Sequence, residues 1–195
     1  MINAIVLAGG ESKRMGRPKP LLRFEDTTFL GHIVSVLGHC DVEATTVVLG
    51  AEAETIGASV DLSGVKVVIN EDYRMGQLSS LIAGMSGMSP ETEAIVLCLV
   101  DHPFVTVEVV NRIVSKFRET GSRIIVPVFH GERGHPTLFA RALFEELLNA
   151  PQDEGARHVL YSNEQSVLEL ETSEKGILIG IDTPDDYELH FGTAP

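Results

Sequence analysis

Cysteine is scarce in this chain. There are two, Cys40 and Cys98, and their spacing fits no metal-binding pattern, so they read as reduced thiols of a reducing compartment. Cys98 lies inside a run expected to be a buried strand. Long hydrophobic runs are also missing. AIVLAGG near the start and AIVLCLV at 94–100 are of strand length, bounded by glycine or acid, and nothing is long and clean enough to span a bilayer. Met1 leads straight into the first strand-like run, so no signal peptide is expected and the expected location is cytoplasmic. Basic residues are outnumbered, 15 Lys and Arg against 28 Asp and Glu, for a net charge of −13. That balance argues against a general affinity for nucleic acid or for an anionic membrane. No linker, repeat or low-complexity tract interrupts the 195 residues, which suit one domain spanning 1–195.

The bases that are present are not spread evenly. Lys13, Arg14, Arg17, Lys19 and Arg23 fall close together, opposed over that stretch by Glu11 alone. A cationic loop on an acidic protein points to a local site for a small polyanion. Around it, short β-branched runs alternate with helical patterns. Strands are expected at Asn3–Leu7, Thr45–Leu49, Lys66–Ile69, Ala94–Val100, Arg123–Val128, Val167–Leu170 and Ile177–Ile181. Helices are expected near 28–38, 52–59, 77–88, 106–119, 140–148, 154–161 and 184–190. Continuous apolar runs imply strands covered on both faces. The expected fold is therefore α/β: a three-layer, doubly wound, mostly parallel sheet that binds ligands at the carboxyl ends of its strands.

The first such end carries Leu7-Ala8-Gly9-Gly10-Glu11-Ser12-Lys13-Arg14-Met15-Gly16-Arg17-Pro18-Lys19. Glycines after a buried strand let backbone N–H groups approach a phosphate, and Arg14 and Lys19 can add charge-assisted donors. The competing reading is a solvated basic turn. Neither the P-loop nor the dinucleotide G-x-G-x-x-G pattern is present. A second strand-like run ends on Asp101-His102-Pro103, which presents a carboxylate where a divalent ion could compensate its charge. Asp101 could instead cap the following helix, but Thr106 is better placed for that. Asp182, in Gly180-Ile181-Asp182-Thr183-Pro184-Asp185-Asp186-Tyr187, is the second candidate ligand, with capping by Asp182 or Thr183 as the rival. Asp185 and Asp186 suit the positive start of a helix.

Three further segments bear on substrate. Asn70, Gln77, Ser79 and Ser80 cluster where one strand ends and the next helix opens, a place for reading base or ribose or simply an ordinary first turn. Gly131-Glu132-Arg133-Gly134-His135-Pro136-Thr137 reads as an irregular turn into a short strand; His135 is a candidate acceptor contact or a structural histidine. Arg157, in Asp153-Glu154-Gly155-Ala156-Arg157, is a second acceptor candidate or a surface ion-pair partner.

The stretch LAGGESKRMGRPK resembles L-A-[AG]-G-x-S-x-R-M-G-x-x-K, the signature of the nucleotidyltransferase family that contains the molybdenum cofactor cytidylyl- and guanylyltransferases. GQLSSL, DHP, RGHPTLF, DEGAR and IDTPDDY follow in the order of the cytidylyl branch, so the resemblance runs from Ile5 to Tyr187. It implies a Rossmann-like nucleotidyltransferase fold. In that family Leu7, Ala8, Gly9 and Gly10 embrace base and triphosphate, Arg14 and Lys19 grip the phosphates, and Asp101 and Asp182 face a Mg²⁺ ion. The implied reaction joins CMP from CTP to a molybdopterin acceptor with release of pyrophosphate, and a molybdenum hydroxylase apoenzyme or its maturation factor would take the product. Gly9 is the residue common in guanylyl members, and His102 stands where cytidylyl members often have Gln, so GTP is the alternative donor. A transferase acting on a sugar phosphate and a non-catalytic carrier of nucleotide or cofactor are the other rivals.

Overall fold

Residues 2–8 are almost wholly apolar, and the chain puts them at the middle of its sheet, with every residue of that strand buried. The structure is a computed structural model that describes residues 1–195. Its strands are β1 (Ile2–Ala8), β2 (Arg23–Phe24), β3 (Thr27–Thr28), β4 (Ala44–Leu49), β5 (Lys66–Ile69), β6 (Ala94–Leu99), β7 (Ile124–Phe129), β8 (Glu132–Arg133), β9 (Thr137–Ala140) and β10 (Val167–Glu171). The helices are α1 (Phe29–Leu37), α2 (Ala53–Ser59), α3 (Gln77–Met85), α4 (Val107–Thr120), α5 (Phe144–Leu148), α6 (Ala156–Ser162) and α7 (Pro184–Phe191).

The large sheet runs β10-β7-β9-β6-β1-β4-β5, with β8 added to β7, while β2 and β3 form a separate small hairpin. β1 is parallel to both β4 and β6, β4 to β5, and β10 to β7; in the large sheet only the pairings of β8 and β9 are antiparallel. Side chains of β1 alternate between two cores. Ile2, Ala4, Val6 and Ala8 join one with α1, α4 and α7, whereas Ile5 and Leu7 join the other with α3, α5 and α6. This is the expected three-layer arrangement. Because β1 continues to β4 on one side and pairs β6 on the other, the chain changes winding direction at the carboxyl ends of β1 and β6, where open α/β sheets leave a crevice.

One expected strand is not a strand. Ile177–Ile181 lies in a 3₁₀ turn over Lys175–Leu178 followed by extended chain. Its apolar residues misled the pattern: Ile177 and Ile181 are buried, but they fill the gap between sheet end and α7 and join no ladder. The segment is held at two points, the Ile181 N–H donating to the Asp101 carbonyl at 2.7 Å and the His135 N–H to the Ile177 carbonyl at 2.9 Å.

Helix α7 ends that segment with a capping box. The Thr183 hydroxyl accepts from the Asp186 N–H at 3.2 Å, and Asp186 Oδ2 accepts from the Thr183 N–H at 2.8 Å and the Asp182 N–H at 3.0 Å. Asp182 is thereby relieved of capping, as Asp101 is by Thr106, whose hydroxyl accepts from the Val109 N–H. The helix is docked by aromatic packing, Tyr187 on Phe191 at 4.5 Å and Phe29 at 6.0 Å between ring centroids, and by the Tyr187 hydroxyl donating to the Arg23 carbonyl at 2.9 Å. Thr183→Ala should lower the urea-unfolding free energy by about 1 kcal/mol. An unchanged midpoint would mean that the box adds nothing.

Candidate active site

The loop after β1 is built from inside out. Ser12 turns the chain, its carbonyl accepting from the N–H groups of Met15 and Gly16, both at 3.0 Å, and its hydroxyl accepting from the Lys19 N–H at 3.0 Å. Met15 and Leu22, interspersed among the basic residues, are sunk in the core. Apolar anchors therefore fix a loop whose charged side chains are left to face the crevice. That crevice, of about 380 Å³, is lined by Leu7, Ala8, Gly9, Gly10, Arg14 and Lys19 on one wall and by Gln77, Ser80, Asp101 and Asp182 on the others.

Four charges meet there. The Lys19 ammonium lies 3.3 Å from Asp101 Oδ2 and also donates to Asp182 Oδ1. Arg14 approaches the outer oxygen of Asp182 at 3.1 Å. Lys19 is only 12% exposed while Arg14 is 71% exposed, so the first is an interior counter-ion and the second reaches from the rim. The hydrogen bond from Lys19 holds the Asp182 carboxyl below the usual aspartate range, against the opposing effect of burial. No group of three or more His, Cys, Asp or Glu side chains is disposed to hold a metal ion. The donor set is two carboxylates that already share one cation. A hard divalent ion bound also by phosphate oxygens fits such a set, since magnesium commonly takes only one or two carboxylates from protein.

The remaining candidates divide. Helix α3 starts at the crevice with no side chain capping it, leaving Gln77 and Ser80 on the wall. Asn70 and Ser79 stand behind them. The Asn70 amide donates to Ser79 Oγ at 2.9 Å and Ser80 Oγ at 3.0 Å, and its Oδ1 accepts from the Asp72 N–H at 3.0 Å. Ser79 Oγ is further engaged with the carbonyls of Asp72 and Gly76. Both residues thus shape the entrance of the helix.

His135 lies beside the crevice, its ring 4.5 Å from that of His102. Burial, reinforced by the neighbouring His102, lowers its pKa to about 4, so it is neutral at physiological pH. The Nδ1 atoms of both histidines are buried without a hydrogen-bond partner. Arg157 is exposed, near enough for its charge to disfavour protonation of His135.

Sequence reasoning passed over Gly50 and Ser12. A Cβ on Gly50 would sit 2.6 Å from the Gly9 carbonyl oxygen and 2.6 Å from Tyr73 Cβ, so the end of β4 supports the loop after β1 by close backbone approach. The signal was available, because Leu49-Gly50 repeats the strand-then-glycine arrangement of Ala8-Gly9.

Residues 4–167 match the model of the MobA-like NTP transferase domain. The chain belongs to the MobA-like NTP transferases. Among relatives of this MobA-like transferase, the molybdenum cofactor cytidylyltransferase of Escherichia coli K12 is 31% identical over 188 residues, covering 95% of this chain and 93% of the relative. A probable molybdenum cofactor guanylyltransferase of Mycobacterium tuberculosis is 33% identical over 130 residues, 63% of this chain and 60% of that one. A Mycobacterium tuberculosis H37Rv protein solved in complex with manganese superposes with a TM-score of 0.85 at 32% identity, over 98% of both chains. The present chain is accordingly a nucleotidyltransferase of Rossmann-like fold. Asp182 lies beyond the stretch that the family model matches, yet the MobA-like transferase brings it onto the same ammonium as Asp101.

Proposed function

We propose that all 195 residues act as one domain that transfers CMP from CTP to a molybdopterin-type acceptor and releases pyrophosphate with Mg²⁺ bound. The observation that carries this reading is the convergence of Lys19, Asp101 and Asp182 at the carboxyl ends of β1 and β6. Those three side chains combine a phosphate-binding cation with the oxygen donors a hard metal needs. Arg14 and Lys19 would grip the triphosphate; the backbone of Leu7, Ala8, Gly9 and Gly10, with Gln77 and Ser80, would hold base and ribose; Asn70 and Ser79 would position that wall. Asp101 and Asp182 would hold Mg²⁺, which supplies charge neutralisation of the triphosphate and of the leaving pyrophosphate. An oxygen of the acceptor's phosphate attacks the α-phosphorus as the bond to the β-phosphate oxygen breaks, so no protein nucleophile is required.

His135 and Arg157 are the proposed acceptor contacts. A neutral His135 offers hydrogen bonding without charge, and Arg157 provides the cation for a terminal phosphate. The similarity to the Escherichia coli cytidylyltransferase along nearly the whole of both chains supports CTP and molybdopterin. The product would pass to a molybdenum hydroxylase apoenzyme or its maturation factor.

A second donor, GTP, is favoured by Gly9, the residue common in guanylyl members, and by the partial match to the mycobacterial guanylyltransferase. The deciding experiment supplies molybdopterin, Mg²⁺ and each triphosphate in turn and measures pyrophosphate. CTP should support release at least about tenfold faster than GTP, a difference of roughly 1.4 kcal/mol at the transition state. Release with GTP and none with CTP overturns the donor assignment.

A further inference from the structure

We infer that Lys19 is a built-in counter-ion for the carboxylate pair, and that it makes binding of the divalent metal depend on prior or simultaneous binding of the triphosphate. The inference rests on the reading of Asp101 and Asp182 as the metal ligands.

Three features carry it. Lys19 is engaged with Asp101 Oδ2 and Asp182 Oδ1 together, and Arg14 takes Asp182 Oδ2. A metal held by both carboxylates would compete with the ammonium for Asp101 Oδ2 and Asp182 Oδ1, the other oxygen of Asp182 being engaged by Arg14. The Lys19 N–H is tied to Ser12 Oγ and the side chain is nearly enclosed, so the ammonium leaves the carboxylates only by turning within the crevice toward another acceptor. Finally, the four charges of Asp101, Asp182, Lys19 and Arg14 sum to zero. A divalent ion entering alone would leave a surplus of two positive charges in a partly buried crevice, where like charges repel strongly.

The triphosphate resolves the conflict. Its oxygens offer Lys19 and Arg14 new acceptors, the side chains turn from carboxylate to phosphate, and the freed carboxylates accept the ion. Metal and nucleotide therefore strengthen one another's binding by the same factor, as linkage requires. Lys19 thus serves the reaction twice, first as occupant of the pair and then as phosphate ligand.

The test is equilibrium binding of Mn²⁺ to the protein, followed by the loss of its free electron-spin-resonance signal with and without α,β-methylene-CTP, the Mn²⁺ held by the analogue alone being subtracted from protein-free controls, and its guanosine counterpart run alongside. Wild-type protein should bind Mn²⁺ at least about tenfold more tightly with the analogue than without it. Lys19→Met removes the charge and keeps the stem. It should bind Mn²⁺ without nucleotide at least about tenfold more tightly than wild type, the further gain from the analogue should be smaller than in wild type, and Mn²⁺ should raise its melting temperature more than that of wild type. Lys19→Met with wild-type Mn²⁺ affinity in the absence of nucleotide overturns the counter-ion role. Asp101→Asn and Asp182→Asn separate this failure from that of the underlying reading. If both keep wild-type Mn²⁺ affinity with the analogue bound, the carboxylates are not the metal ligands and the inference falls with them. If they lose it while Lys19→Met behaves as wild type, only the coupling is wrong. Should Lys19→Met not fold, Arg14→Met carries the same test from an exposed position: Mn²⁺ binding without nucleotide should tighten by about threefold, and unchanged affinity overturns the proposal.

Discussion

Asp101→Asn should reduce pyrophosphate release by about 10³-fold, roughly 4 kcal/mol at the transition state, with little change in the folded structure. The substitution keeps size and shape and removes the charge. The amide oxygen that replaces the carboxylate can still accept a hydrogen bond from Lys19, whose ammonium retains Asp182. The strand end is fixed by backbone bonds, Val100 N–H to the Leu7 carbonyl and Ile181 N–H to the carbonyl of residue 101. On the proposed reading, what is lost is one of two hard oxygen donors at the place where charge builds on the departing pyrophosphate. The effect should fall chiefly on kcat, since a ligand that acts on developing charge does little for ground-state binding. Turnover within about threefold of wild type would remove Asp101 from the chemistry.

Gly50→Ala should lower kcat/KM by about a hundredfold although residue 50 touches none of the four charges. The added methyl has no room. It would press on the Gly9 carbonyl, which accepts from the Ala51 N–H at 3.0 Å, and on Tyr73, itself part of the crevice wall. Backbone cannot yield as a flexible side chain does, so the loop after β1 shifts as a body, and stability falls by about 1–3 kcal/mol from overpacking. Gly57→Ala is the control. A Cβ there meets nothing within 4 Å, and in the interior of α2 alanine should add up to about 1 kcal/mol to the unfolding free energy without altering catalysis. Equal kinetics for the two variants would show that Gly9 is not braced by Gly50.

The two substitutions also mark how far the sequence could be read. Periodicity located the strands well because β1, β4 and β6 are sealed on both faces, so their runs are mostly apolar, broken only by Asn3 and by Thr45-Thr46. It misread Ile177–Ile181, where the same composition arises from filling a gap, and where two glycines, Gly176 and Gly180, sit against Phe104 and His102. Arg14, Lys19, Asp101 and Asp182 were legible as charges at the ends of apolar segments. The sharing of the Lys19 ammonium by Asp101 and Asp182 was not, since it depends on strand order, and β9 inserts antiparallel between β6 and β7 with only a short run to announce it. For Asn70 and Ser79, polar residues at a helix start were visible, but not that they satisfy one another behind the wall. The repeated strand-then-glycine pattern marked Gly9 and Gly50 alike, but that the two touch follows from the pairing of β1 with β4.

Lys19 and Asp182 stand 163 positions apart, one in the opening loop and the other in the closing segment. Contacts between such distant parts of a chain bring a loop-closure cost before they return any stabilisation. A nascent chain that has emerged just past β6 possesses the cationic loop and Asp101 but not the second acid. The contact that joins Lys19 to both acids therefore waits on residues far beyond β6, and a chain that stops short of Asp182 cannot form it.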